Sequence, residues 1–288
     1  MKEVVVISGK GGTGKTSLVA GLASTGSAQV LADCDVDASD LHLVLEPEIL
    51  EANQFMSGEL ASINPDLCSA CGLCRDHCRF SAISEDFRIL QEHCQGCALC
   101  FHVCPESAVS MHERHCGEWF QSETRFGPMV HARLGIGQEN SGRLVTLVRR
   151  QSRNLAVKKG LEAVLCDGSP GVGCPVIASL TNADLALLVA EPSLSAFGDL
   201  RRVLELARHF DIPCLAVINK ADINHELTLE IESFCSENRV GLAAKLPYDP
   251  DITRAQINGQ SIVEYSPGKW GYIMQDIWKV MEEKLNGS

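Results

Sequence analysis

A short β-branched run, Glu3-Val4-Val5-Val6-Ile7-Ser8, leads straight into Gly9-Lys10-Gly11-Gly12-Thr13-Gly14-Lys15-Thr16, and from Gly14 to Ala23 the pattern turns helical. Those eight residues fit G-x-x-x-x-G-K-[ST] in the strand-to-helix setting that gives the motif its meaning. Glycines let backbone N–H groups curl around phosphate oxygens without Cβ clashes, and the helix N-terminus adds the positive end of its dipole. Lys15 is expected to neutralise the β- and γ-phosphates of a nucleotide, with the Thr16 hydroxyl on Mg²⁺ and Ser17 in the same turn. A Gly-rich turn that binds nothing leaves the combined pattern and its placement unexplained.

The alternation of strand and helix continues. Val30-Leu31-Ala32-Asp33 reads as a second strand ending in aspartate; later come AVLCD, LALLVAE, CLAVINK and GLAAKLP, each followed by a helical stretch. Such alternation implies right-handed βαβ units and a mostly parallel, doubly wound α/β sheet covered on both faces. The rhythm breaks at residues 65–112, and a Gly-rich stretch at about 117–142 reads as hairpin or loop before an amphipathic helix. The organisation predicted is a discontinuous α/β domain, residues 1–60 and 113–288, with a small inserted α+β domain at 61–112. A length of 288 residues suits one sizeable core plus a small module.

Composition narrows the classes. With 45% apolar and 22% charged residues the chain is neither disordered nor fibrous, and a net charge of −12 argues against a nucleic-acid footprint. Only Arg149, Arg150, Arg153, Lys158 and Lys159 form a modest basic cluster, which reads as a solvated helix face. No run reaches the ~20 apolar residues of a membrane span, and the N-terminus lacks a secretory pattern, so a cytoplasmic protein without stable membrane insertion is expected. The Trp270 to Leu285 stretch has apolar residues at helical spacing, but its polar positions mix Asp276, Glu282 and Glu283 with Lys279 and Lys284, which favours core packing over membrane contact.

Fourteen cysteines are unusual for such a chain, and eight lie between Cys68 and Cys104. Their spacing is Cys68-x₂-Cys71-x₂-Cys74-x₃-Cys78, then Cys94-x₂-Cys97-x₂-Cys100-x₃-Cys104-Pro105, so each recurs 26 positions later. Ser81-Ala82-Ile83 is echoed by Ser107-Ala108-Val109, which marks a duplicated unit. Zinc commonly takes two separated C-x₂-C pairs, whereas three thiolates at x₂ spacing with a remote fourth suit the corners of a cube better. Cys34, Cys166, Cys214 and Cys235 sit in apolar patterns and read as core.

On these residues the chain resembles two families at once. Lys10 inside KGGTGKT resembles the deviant Walker A motif of the MinD/ParA/Mrp ATPases. That resemblance implies an ATP-dependent homodimer in which Lys10 reaches the partner subunit's nucleotide, so Lys10, Lys15 and Asp35 carry catalysis. Asp33-Cys34-Asp35-Val36-Asp37 looks like switch I, with Asp33 near Mg²⁺ and Asp35 or its rival Asp37 placing the attacking water. Asp167-Gly168-Ser169-Pro170-Gly171 resembles switch II, with Asp167 on Mg²⁺; Asn219 stands where relatives contact adenine, and Pro247 and Asp249 where they wall in the base. The phosphate-facing set implied is Gly9, Lys10, Gly11, Gly12, Thr13, Gly14, Lys15, Thr16 and Ser17.

The cysteine block resembles the bacterial two-cluster ferredoxin, in which the fourth Cys of each run serves the other cluster. The resemblance assigns Cys68, Cys71, Cys74 and Cys104 to one [4Fe–4S] cluster, and Cys94, Cys97, Cys100 and Cys78 to the other. Arg79 stands where a proline usually follows the last cysteine. Cys174, just beyond switch II, is a candidate for a further metal site with Cys116 or His115, by likeness to the nitrogenase iron protein. Together these features imply nucleotide-gated assembly or delivery of an iron–sulfur or other metal cofactor to a partner protein. An ATP-gated electron donor is the alternative, and a MinD/ParA-like spatial organiser comes third.

Overall fold

The computed structural model describes residues 1–26, 29–135 and 141–287. Contacts divide the chain into two compact units: Met1–Asn53, Trp119–Arg133 and Ser141–Ser288 form the first, and Gln54–Glu118 with a short segment beginning at Leu134 forms the second. The second unit is thus wider than the cysteine block 61–112.

The first unit opens with β1 (Lys2–Ile7), α1 (Lys15–Thr25), β2 (Gln29–Asp33) and α2 (Leu41–Leu45). The chain then passes through β3 (Glu48–Ile63), the short helices α3 (Leu73–Asp76) and α4 (Leu99–Val103), and β4 (Val109–Thr124). It continues with β5 (Gly127–Leu134), α5 (Ser141–Lys159), β6 (Ala163–Asp167), α6 (Cys174–Leu180), β7 (Leu185–Ala190) and α7 (Leu194–His209). The last elements are β8 (Cys214–Ile218), α8 (His225–Glu237), β9 (Gly241–Lys245), α9 (Pro250–Ile257), α10 (Ile262–Tyr265) and α11 (Pro267–Asn286).

The strand order is β3-β4-β5-β2-β6-β1-β7-β8-β9. From β5 to β9 the neighbours run parallel, with Val4 opposite Leu165 on one side and Leu185 on the other. β1, β2, β6, β7 and β8 are buried along nearly their whole length, which is why they read as apolar runs, whereas β9 is half-buried. The expected hairpin is β4–β5, joined at Arg125 and Phe126; residues 136–140 of that Gly-rich stretch lie outside the described residues.

On one face α1 and α11 meet: Leu18, Val19 and Leu22 share a core with Trp270, Met274, Ile277, Trp278 and Met281. The Trp278 indole N–H donates to the Leu22 carbonyl at 2.8 Å. The C-terminal helix is therefore a core element, as its mixed polar face predicted. Among the described residues, no helix is long and apolar enough to cross a membrane.

The second unit has a much thinner interior. Its buried apolar cluster consists of Ala61, Ala82, Cys94 and Val109, fringed by Cys78, Cys100 and Cys104. The 26-residue sequence repeat is also a torsional repeat. Ala70 and Gly96, Gly72 and Ala98, and Ser81 and Ser107 all hold positive φ at matched positions, although alanine and serine seldom adopt that region.

Candidate functional site

Parallel strands deliver their carboxyl ends to one edge of the sheet, where β1, β2, β6, β7 and β8 release the loops that carry the predicted residues. The glycine loop follows β1 and opens α1. Gly14, at φ 89°, caps that helix, and no side chain satisfies the first-turn N–H groups. A side chain at Gly14 would also run into the Asn219 amide. Those free N–H groups and the dipole make the anion cradle the motif predicts. The Thr13 hydroxyl is buried in the same loop without a hydrogen-bond partner, an expensive state that a ligand would relieve.

The carboxylates gather at the adjacent strand ends, where Asp33 of β2 lies opposite Asp167 of β6. The Lys15 ammonium sits 2.5 Å from Asp167 and 3.7 Å from Asp35, and the Thr16 hydroxyl donates to the second Asp167 oxygen at 2.7 Å. Burial pulls the Lys15 pKa down, but the Asp167 carboxylate more than offsets it and the net shift is upward. Burial, aided by the Asp167 charge, pushes Asp33 up to about 7, although Ser39 donates a 2.6 Å hydrogen bond to it. Burial raises Asp35 to about 6 against the pull of Lys15. Crowded carboxylates beside a hydroxyl are a donor set suited to Mg²⁺, a hard cation taking oxygen ligands. Asp37, by contrast, is exposed.

In the second unit the eight cysteines sort themselves around two cavities. One is lined by Cys68, Cys71, Cys74 and Cys104 together with Phe87 and Val109. The other is lined by Cys78, Cys94, Cys97 and Cys100 with Phe80, Ile89 and Met111. Burial raises the Cys74 thiol pKa, with Cys68, Cys104 and Cys71 contributing; burial also raises Cys100. The repeat extends to backbone donors: Ala82 N–H points at the Cys78 sulfur at 3.4 Å and Ala108 N–H at the Cys104 sulfur at 3.3 Å. Among the described residues, no three His, Cys, Asp or Glu side chains form a group that could hold a metal ion.

The sequence profile of the CobQ/CobB/MinD/ParA nucleotide-binding domain matches residues 4–262. The chain belongs to that family. An uncharacterised protein of Methanocaldococcus jannaschii, MJ0578, is 37% identical over 226 residues, which is 77% of this chain and 79% of that one. Among solved structures, Pyrococcus horikoshii MinD complexed with Mg-ADP has a TM-score of 0.57 at 19% identity, covering 97% of this chain and 95% of its own. The Aquifex aeolicus MinC:MinD cell division complex has a TM-score of 0.57 at 17% identity, covering 98% and 97%. At those identities the likeness is one of fold.

For this CobQ/CobB/MinD/ParA family member, the comparisons support a nucleotide-binding domain with a MinD/ParA-like fold. Neither iron–sulfur delivery nor electron transfer gains support from them, and the iron–sulfur expectation rests on the two cysteine cradles.

Other predicted residues have specific places. Asn219 donates its amide to the Thr13 carbonyl at 2.8 Å and so braces the phosphate loop from inside. Asp249 caps α9 through the Asp251 N–H at 3.0 Å and accepts from Lys269 and Trp270, which commits its carboxylate to packing; Pro247 precedes it on the same loop. Ser17 accepts from Gln256 at 2.8 Å. The Cys116 thiol is buried and donates to the Ser57 carbonyl at 3.1 Å, while Cys174 is exposed. Cys34, Cys166, Cys214 and Cys235 are buried, as core residues should be.

Two residues were missed. Ser39 holds Asp33, and Glu191 pairs with Lys10 at 2.8 Å and with Lys220 at 2.8 Å. Glu191 did leave a signal, because it ends the apolar run LALLVAE at the same sheet edge as the other acids.

Proposed function

We propose that this chain is a MinD/ParA-like ATPase switch: it binds Mg-ATP, pairs with a second copy, engages a partner protein, and resets by hydrolysis. The observation that carries the reading is the buried Lys15 ammonium held between Asp167 and Asp35 beside the Thr16 hydroxyl. Phosphates entering the loop would take Lys15 from its acidic neighbours, and Mg²⁺ held by Thr16 and Asp167, with Asp33 near, would neutralise charge on the β- and γ-oxygens. Asp35 is half-buried just past the end of β2 beside Lys15, where its carboxylate is placed to accept a proton from an attacking water. Lys10 is the residue that reaches the partner's nucleotide.

Lys15→Ala is expected to abolish Mg-ATP binding measured by calorimetry, and Asp35→Asn to retain binding while trapping the ATP-bound dimer. Unchanged turnover in Asp35→Asn would remove Asp35 from the mechanism.

A second reading is favoured by the cysteine cradles. Four thiols around each cavity, backbone N–H groups on Cys78 and Cys104, and a thin apolar interior suit two [4Fe–4S] clusters that complete the fold of their unit. In that reading the ATPase cycle gates cluster or metal-cofactor delivery to an acceptor, or electron transfer to it. Anaerobically purified protein should then carry about eight iron atoms. Iron passing to an apo-acceptor selects delivery, and ATP-dependent reduction without iron loss selects electron transfer. Stoichiometric zinc without iron would reject both.

A further inference from the structure

We propose that Glu191 holds Lys10 within its own subunit and so sets how readily two copies pair around ATP. The inference rests on Lys10 reaching the partner's nucleotide. β7 lies parallel and adjacent to β1, and both end at the same edge, so Glu191 emerges beside the glycine loop. One carboxylate oxygen meets the Lys10 ammonium at 2.8 Å and the other meets Lys220 at 2.8 Å. Lys220 also donates to the Gly12 carbonyl at 3.2 Å, and the Ser195 hydroxyl accepts from Lys10 at 3.3 Å. Burial raises the Glu191 pKa, but hydrogen bonds from the two lysines outweigh it and hold the carboxyl below its usual range.

Lys10 cannot satisfy Glu191 and a phosphate across a dimer interface at once. Each pairing event must therefore break this contact in both subunits. The Lys10 side chain is about one-third exposed at 33% and Glu191 at 17%, so the contact is of moderate strength and can open. Glu191 is a positioning residue: it acts through Lys10 and not on the nucleotide.

The test is sedimentation of the full chain, purified anaerobically, with Mg²⁺ and the non-hydrolysable analogue AMP-PNP. Glu191→Gln should tighten the dimer about threefold to fivefold, while analogue affinity at monomer-favouring dilution stays near wild type. In a Lys10→Ala background the same change should give no tightening. Competitive acetylation of nucleotide-free protein provides a second measurement, in which Lys10 should react faster once Glu191 is neutralised. Unchanged dimer affinity, equal tightening without Lys10, or unaltered Lys10 reactivity would each overturn the proposal. A wild-type chain that stays monomeric with the analogue sinks the pairing reading as well; a pairing wild type with an indifferent Glu191→Gln sinks only the latch.

Discussion

The nucleotide edge and the cysteine unit solve opposite folding problems. Around the glycine loop, buried strands and helices bring the polar groups together: Lys15 and Thr16 both meet Asp167, and Asn219 holds the Thr13 carbonyl. In the cysteine unit the buried apolar cluster is four small residues, flanked by two thiol-lined cavities. One site is built on a deep core; the other lies in a unit with little apolar interior, the kind that gains most from a bound metal.

That contrast can be broken most directly at the thiols. On the proposed iron–sulfur reading, chelating the iron, or Cys74→Ala, should unfold residues 61–112 and leave the rest intact, read as loss of amide protection confined to that segment. Retained protection there would mean the unit folds on its apolar residues alone. Lys15→Ala should next take Mg-ATP binding below what calorimetry detects, a loss of about a hundredfold or more, since it removes the phosphate contact.

Trp278→Ala probes the core-built side, with an expected loss of about 3–5 kcal/mol in denaturant unfolding of the ATPase unit. His131 gives a smaller, pH-dependent effect. It is buried against Ser122, and burial pushes its pKa down to about 4, with the His42 charge adding. The unfolded state thus takes up the proton first, and His131 costs stability as pH falls from about 6.5 to about 4. His131→Phe should remove up to about 2–3 kcal/mol of that loss, measured as the difference between the two pH-stability curves. Asn219→Ala is the mildest, at about 1 kcal/mol of affinity for ATP through a looser loop.

Much of the nucleotide site was legible because its chemistry is local in sequence: the loop, the strand-ending aspartates and the helix after the loop are short patterns. The cysteine sets were legible for the same reason, through a repeat of 26 residues. What escaped was set by contacts between distant segments. The Asn219 amide reaches Thr13 across 206 residues of chain, and Glu191 finds Lys10 only because β7 lies beside β1. Asp249 reads as a base-lining residue in sequence, and its contacts with Trp270 and the α9 backbone are a further long-range feature that spacing does not reveal. β3 went unread because it is largely exposed, and the start of β4 because its polar residues show neither an apolar run nor a clean alternation.

The cavity linings interlock the duplicated halves. Each cradle draws three thiols from one half and the fourth, Cys104 or Cys78, from the other. Neither half closes its own ring, so the pair works like two clasped hands: an occupant gripped by one palm is locked by the opposite thumb. Cutting the duplicate apart would therefore leave two open grips, each one finger short.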